Sequence, residues 1–540
     1  MVITDFLERN ARLYGSDIAL VEVNPSEERD SAVTWREASL IAEAQPDAPY
    51  RRELSWRDFD RRANRFANFL LSRNVRRGTK VGILLMNCLE WLPIYFGILK
   101  AGCIAVPLNF RYASDEISYC LDLADVEVLV FGPEFVSRLG LTRVRLRLFV
   151  GRNVPDYAED CRRLMGFCSS SVPPIALDED DDAAIYFSSG TTGFPKAILH
   201  RHRALVCSCV TEQHHHGQTK DDVFLCIPPL YHTGAKMHWF GSLISGSKAV
   251  LLRGVKPEWI LRTVTEEKCT IVWLLVPWAQ DILDAIESGR VNLEHYLLDQ
   301  WRLMHIGAQP VPPSLIKRWL KYFPHHKYDT NYGLSESIGP GCVHLGVDNI
   351  EKIGAIGKAG YLWQTRILDE RGNDVAPGEI GELAVKGPGV MKCYYKNPEA
   401  TAEILHGDWL WTGDMAREDK DGFIYLVDRK KDVIISGGEN LYPVQIEDFL
   451  RRNEKIKDVA VIGLPDQRLG EIAAAIIELK DGADCTETEI QDFCRELPRY
   501  KRPRRVIFAK VPRNPTGKIE KPVLRQIYCG GRLVEEQTKA

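Results

Sequence analysis

Between two apolar runs, residues 183–187 and 197–199, the chain places Ser188, Ser189, Gly190, Thr191, Thr192, Gly193 and, three residues on, Lys196. Glycines let backbone N–H groups approach an anion, hydroxyls donate hydrogen bonds, and a lysine neutralises charge, so the loop suits a polyphosphate. It is not a P-loop. That motif holds four residues between its glycines and then opens a helix, whereas Lys196 leads into a strand-like run. A second group is Asn331, Tyr332, Gly333, Ser335 and Glu336. Here an aromatic face can cover a purine, a hydroxyl can bond a phosphate and a carboxylate can hold Mg²⁺. Asp414, in Thr412-Gly413-Asp414, offers the natural two-pronged acceptor for a diol. Lys518, on the tight turn Thr516-Gly517, is suited to stabilising charge that grows on a phosphate.

Positioning these groups calls for an α/β scaffold. Phe59, Ala63, Phe66 and Leu70 recur at helical spacing, with Gly78 as the stop. Residues 81–85 read as a buried parallel strand, residues 91–100 as a helix and residues 104–107 as the next strand. The alternation recurs at 223–227, 249–252, 270–275 and 303–306, which predicts a large α/β domain of several subdomains over residues 1–428. Residues 24–52 read as a surface insertion with weak structure. Asp421-Gly422 marks a hairpin turn before a strand at 423–427, and the polar stretch 428–432 reads as a linker. A helix opened by Pro443, strands at 459–462 and 473–479, and a helix at 486–497 predict a small C-terminal α+β domain, residues 429–540.

Hydrophobic residues make up 45% of the 540 and charged residues 27%, the balance of a globular protein with ample core. A net charge of −4 gives no reason to expect nucleic acid, and the basic run 499–505 reads as a solvated face able to meet a phosphorylated small molecule. The 14 cysteines form no CxxC pair and read as reduced thiols. Cys207 and Cys209 have the wrong spacing for a zinc knuckle. With His200, His202, His214, His215 and His216 they are expected on a loop of solvated histidines without metal. The first residues are charged too early for a secretory leader, and no run reaches the ~18 apolar residues of a membrane span. A cytoplasmic protein without a transmembrane segment is expected.

Taken in order, these motifs resemble the signatures of the acyl-adenylate-forming superfamily, which includes acyl- and aryl-CoA synthetases, firefly luciferase and peptide-synthetase adenylation domains. The likeness runs from about Ser55 to Tyr528. It implies that the loop 188–196 binds ATP phosphates, that Gly307, Ala308 and Gln309 read the adenine edge, that Tyr332 stacks on adenine, and that Asn331 and Gly333 belong to the same ATP/AMP site. It implies further that Ser335, standing for the usual threonine, contacts phosphate and that Glu336 binds Mg²⁺. Asp414 would hold the ribose hydroxyls, Arg429 would close over ribose and phosphate, and Lys431 would be the hinge. Ser436, Gly437 and Gly438 would approach the CoA arm. His232, Thr233 and Gly234 would line the acyl pocket, His232 near the reacting carboxylate, and Lys518 would be the catalytic lysine.

The implied activity is AMP-forming carboxylate–CoA ligation with ATP, Mg²⁺ and coenzyme A. The implied acid is fatty, aryl or alicyclic, and a homodimer is left open. Two rivals remain. A ligase that loads a carrier protein would need a separate partner, since no Gly-Gly-x-Ser attachment site follows the small domain. A non-catalytic nucleotide or acyl sensor would have no use for Glu336, Asp414, Arg429 and Lys518 together.

Overall fold

The computed structural model describes residues 1–25, 33–35, 38–40, 49–140, 143–188, 195–307, 311–436, 439–513 and 519–529. The chain packs as two units: residues 1–365 with 385–410, and residues 366–384 with 411–540.

Two large sheets build the first unit. One runs in the order Lys327–Asp329, Leu303–Gly307, Ile271–Leu275, Val223–Cys226, Lys248–Leu252, Ile18–Val23 and Arg51–Ser55, parallel throughout except for the last pair. The other runs Cys393–Tyr394, Ala197–Arg201, Asp182–Phe187, Ile104–Pro107, Lys80–Leu84, Val126–Phe131, Leu146–Phe149 and Glu159–Asp160. Its inner parallel strands, Ile104–Pro107 and Lys80–Leu84 above all, are short apolar runs buried on both faces, as a helix-covered sheet demands. A small antiparallel sheet of Asn331–Leu334, Gly339–His344 and Lys358–Ala359 completes the unit.

The helix Trp56–Ser72 begins where the Ser55 hydroxyl accepts the Asp58 N–H at 3.1 Å, and it buries Trp56, Phe59, Ala63, Phe66 and Leu70. It ends at Ser72, six residues before Gly78, which instead makes a turn at φ +80°. The helix Trp91–Lys100 is buried on every side. Its one charged side chain, Lys100, is satisfied there by Glu8, Asp60 and Asn64 at 2.7–2.8 Å.

Two expectations need correction. The histidines at 200–216 are not on a solvated loop: residues 202–216 are the helix His202–His216, and His200, His202 and His216 are buried. Loop-like composition was overridden because this helix is buried along much of its length, so Glu212 and His216 face other polar groups and not water, while His214 stays exposed. The expected insertion lies mostly outside the described residues. Arg51 and Arg52 at its end nonetheless belong to a strand, and Arg52 pairs with buried Glu22 and with Glu90. All fourteen cysteines are free thiols, eleven of them buried. Among the described residues, no helix is long and apolar enough to cross a membrane.

In the second unit Trp409–Glu418 pairs antiparallel with Ile424–Arg429. Asp428 and Arg429 therefore finish a strand, and the expected linker shrinks to the turn Lys430–Asp432. A further sheet orders Glu439–Leu441, Ile434–Ser436, Gly470–Leu479 and Ile456–Asp466, with Arg505–Phe508 parallel to Gly470–Leu479. The helices Pro443–Leu450, Glu487–Phe493 and Lys521–Tyr528 complete the mixed α+β pattern.

Candidate active site

The strands Asp182–Phe187 and Ala197–Arg201 form an antiparallel hairpin whose connection is the glycine-rich loop. Ser188 and Lys196 close its neck. The Ser188 N–H donates to the Lys196 carbonyl, and the Lys196 N–H donates to the Ser188 hydroxyl, both at 3.0 Å. Ser189, Gly190, Thr191, Thr192 and Gly193 lie outside the described residues, as do Ala308, Gln309, Gly437, Gly438 and Lys518.

Glu336 sits in the single turn Ser335–Ser337, which joins Asn331–Leu334 to Gly339–His344. Tyr394, on the edge strand that extends the hairpin's sheet, donates its hydroxyl to Glu336 Oε1 at 2.7 Å. The Lys196 ammonium lies 4.7 Å from the centre of the same ring. Tyr394 thus links the lysine of the loop to the carboxylate of the Ser335-Glu336 turn. Burial, and then the neighbouring Glu336 charge, push the Tyr394 pKa up, so the phenol stays a donor. Among the described residues Glu336 Oε2 takes no hydrogen bond or ion pair, which leaves one carboxylate oxygen able to coordinate a hard cation.

Ser335 is fixed from beneath: His200, fully buried, meets its carbonyl through Nε2 at 2.8 Å. A carbonyl only accepts, so Nε2 carries the proton, and burial drives the His200 pKa down to about 4 and keeps the ring neutral. Sequence reasoning missed both Tyr394 and the role of His200. Tyr394 stands 58 residues from Glu336, and nothing around it marks it out in the chain.

Gly307 ends the strand next to the sheet edge and faces Asn331, whose Oδ1 would lie 3.6 Å from a Cβ at that position. The Asn331 amide is in turn held by Glu212. Tyr332 is buried, while Gly333 and Ser335 are half-buried. His232 is half-buried on the turn before the helix Thr233–Ser245, where Gly234 also lies, and its N–H donates to the Pro229 carbonyl at 3.0 Å. Asn87 braces that turn, accepting from the Leu230 N–H at 2.8 Å and donating to the Pro228 carbonyl at 3.0 Å.

In the second unit, Asp414 and Arg429 are direct partners across the strand pair, with the guanidinium Nε 3.6 Å from Oδ1. Gly413 takes φ +73°, a conformation that favours glycine, and donates to Glu382, which also holds Lys430 at 3.0 Å. Lys431 is exposed on the following turn and Ser436 half-buried at the end of the next strand.

The AMP-binding enzyme family matches residues 26–395, and the AMP-binding enzyme C-terminal domain matches residues 445–518. A feruloyl-CoA synthase of Amycolatopsis sp is 33% identical over 479 residues, 88% of this chain and 94% of its own. A long-chain-fatty-acid–CoA ligase of Mycobacterium tuberculosis is 31% identical over 473 residues, 86% of this chain and 91% of its own. The ATP-bound crystal structure of MatB from Rhodopseudomonas palustris superposes with a TM-score of 0.84 at 26% identity, covering 98% of this chain and 99% of that one. The chain belongs to the AMP-binding enzyme family.

Proposed function

We propose that the protein joins a carboxylic acid to coenzyme A at the expense of ATP, through an acyl-adenylate. The observation that carries this reading is the joining of Lys196 and Glu336 through Tyr394 at the neck of a polyphosphate loop, in a chain similar over most of its length to CoA ligases. Those relatives are named for a fatty and an aromatic acid. What they share is the thioester chemistry, and the acid is where they differ.

A carboxylate is a poor acyl donor because oxide leaves badly. Its oxygen attacks the α-phosphorus of ATP, pyrophosphate departs, and AMP becomes the leaving group when the CoA thiolate attacks the carbonyl. The loop Ser188–Lys196 and Ser335 bind the phosphates. Tyr332, Gly333, Gly307, Ala308, Gln309 and Asn331 hold adenine, and Asp414 and Arg429 hold the ribose. Glu336, kept in place by Tyr394, would hold Mg²⁺, which neutralises phosphate charge when bound. Lys518 serves the first step and Ser436, Gly437 and Gly438 the second, with Lys431 as the turning point. His232, Thr233 and Gly234 face the acid, which is fatty, aryl or alicyclic.

A panel of such acids with ATP and CoA, read by pyrophosphate release and mass spectrometry, tests the assignment. An acyl-CoA formed with an equal amount of pyrophosphate is expected. Adenylate that CoA fails to discharge overturns CoA as acceptor, and no acid-dependent pyrophosphate overturns the enzyme reading.

A further inference from the structure

The helix His202–His216 carries Glu212 and His216 one turn apart, toward three strands that supply His305, Asp329 and His344. All five side chains are out of contact with solvent. Nε2 of His216 lies 3.1 Å from Oε2 of Glu212 and 3.4 Å from Oδ2 of Asp329, and Nε2 of His344 lies 3.8 and 3.5 Å from the same two oxygens. Ligand atoms of Glu212, His216, His305 and His344 all fall within 4.8 Å of one another. Zinc bonds to imidazole nitrogen and carboxylate oxygen are about 2.0–2.2 Å, which sets tetrahedral ligand separations at about 3.3–3.6 Å. The four measured separations straddle that range.

The remaining oxygens are engaged as ligand carboxylates require. Glu212 Oε1 accepts from the Asn331 amide, and Asp329 Oδ1 lies 2.6 Å from Nδ1 of His305. Each carboxylate therefore has one oxygen turned to the histidines and one oriented by a neighbour. Two carboxylates buried this deeply require positive charge, and neutral imidazoles supply none.

We infer that Glu212, His216, Asp329 and His344 bind a tetrahedral divalent transition-metal ion, Zn²⁺ by the chemistry of its donors, with His305 holding Asp329 in place. The ion is structural and separate from Mg²⁺ chemistry at Glu336. It ties the helix to the strands Lys327–Asp329 and Gly339–His344, the neighbours of the strands that carry Gly307 and Asn331. Two contacts must yield: the Gly346 N–H approaches Nδ1 of His344 at 3.0 Å, where a ring ligated through Nε2 carries its proton, and Nε2 of His216 lies 3.0 Å from Nδ1 of His305, which keeps its bond to Asp329. Loss of two neutral hydrogen bonds is small against coordination of a dication by two carboxylates. The competing arrangement has no metal and protonated imidazoles at His216 and His344.

The test is elemental analysis of the untagged full chain, grown with added Zn²⁺ and dialysed against EDTA. About one zinc per chain is expected, lost about tenfold or more in the His216→Ala/His344→Ala double variant and kept when exposed His406 is replaced by Ala. Should the double variant fail to fold, the native chain still decides, because Co²⁺ in place of zinc must show the intense visible bands of a tetrahedral site. Less than about a tenth of an ion per chain with no such bands, or zinc retained by a folded double variant, overturns the inference.

Discussion

In the first unit the charged groups are reached through buried tethers: Tyr394 holds Glu336 at 2.7 Å and His200 holds the Ser335 carbonyl at 2.8 Å. In the second unit Asp414 and Arg429 stand 3.6 Å apart across two strands, Lys431 is exposed on a single turn, and Ser436 ends a short strand. The difference is one of stiffness. Groups braced by buried hydrogen bonds hold one geometry, which suits the phosphate and Mg²⁺ binding proposed for them. Lys431, on its exposed turn, can change partners cheaply, which suits the turning point proposed for it.

Breaking the second unit's part in the first step should have the largest effect. Lys518→Ala should cut adenylate formation about 10²–10³-fold while thioester formation from prepared acyl-adenylate and CoA stays near the parent rate. Equal losses in both half-reactions would end the division of labour.

The first unit is probed by grading the damage to one tether. Glu336→Ala should lower turnover about 10²-fold or more with the fold intact. Tyr394→Phe keeps the ring beneath Lys196 and removes only the hydrogen bond to a charged group, so about 10-fold is expected, chiefly as a raised Mg²⁺ requirement. A Tyr394→Phe enzyme with unchanged Mg²⁺ dependence would show that Glu336 needs no brace.

Lys431→Pro sharpens the contrast from the turn itself. Proline restricts φ, so thioester formation should fall about 10-fold relative to pyrophosphate release on the same preparation. Parallel losses would remove Lys431 as the turning point.

The smallest effect concerns Asp428, whose carboxyl burial pushes up to about 6. Its folded pKa exceeds the unfolded value, so ionisation is disfavoured in the fold. Its contribution to stability is full below about pH 4 and lost as pH rises through about 6. The Tm of Asp428→Asn minus that of the parent should therefore rise by about 2–4 °C between pH 4 and pH 8. A flat difference would mean that Lys521 and the backbone donors already offset the burial.

Legibility followed the same physical division. The strands at 81–85 and 104–107 and the helix at 91–100 were readable because continuous burial leaves an apolar record in the chain. The apolar runs on either side of the glycine-rich loop were readable for the same reason, and both are strands. Tyr394 was not, since a tether needs only a hydroxyl in the right place and leaves no local pattern. The histidine-bearing helix was misread for the converse reason. Glu212 and His216 are polar in sequence but face other polar groups inside the molecule, and periodicity of apolar residues carries no trace of that pairing.

The central claim is that the acid's own oxygen attacks the α-phosphorus, and isotope transfer reads that bond directly. The acid preferred in the panel, labelled with heavy oxygen in its carboxylate, is turned over with unlabelled ATP and CoA, and the nucleotide and phosphate products are weighed by mass spectrometry. Attack through an acyl-adenylate delivers one labelled oxygen to AMP and none to pyrophosphate. Label in inorganic phosphate with ADP as the nucleotide product, or AMP that carries no label, would contradict the account.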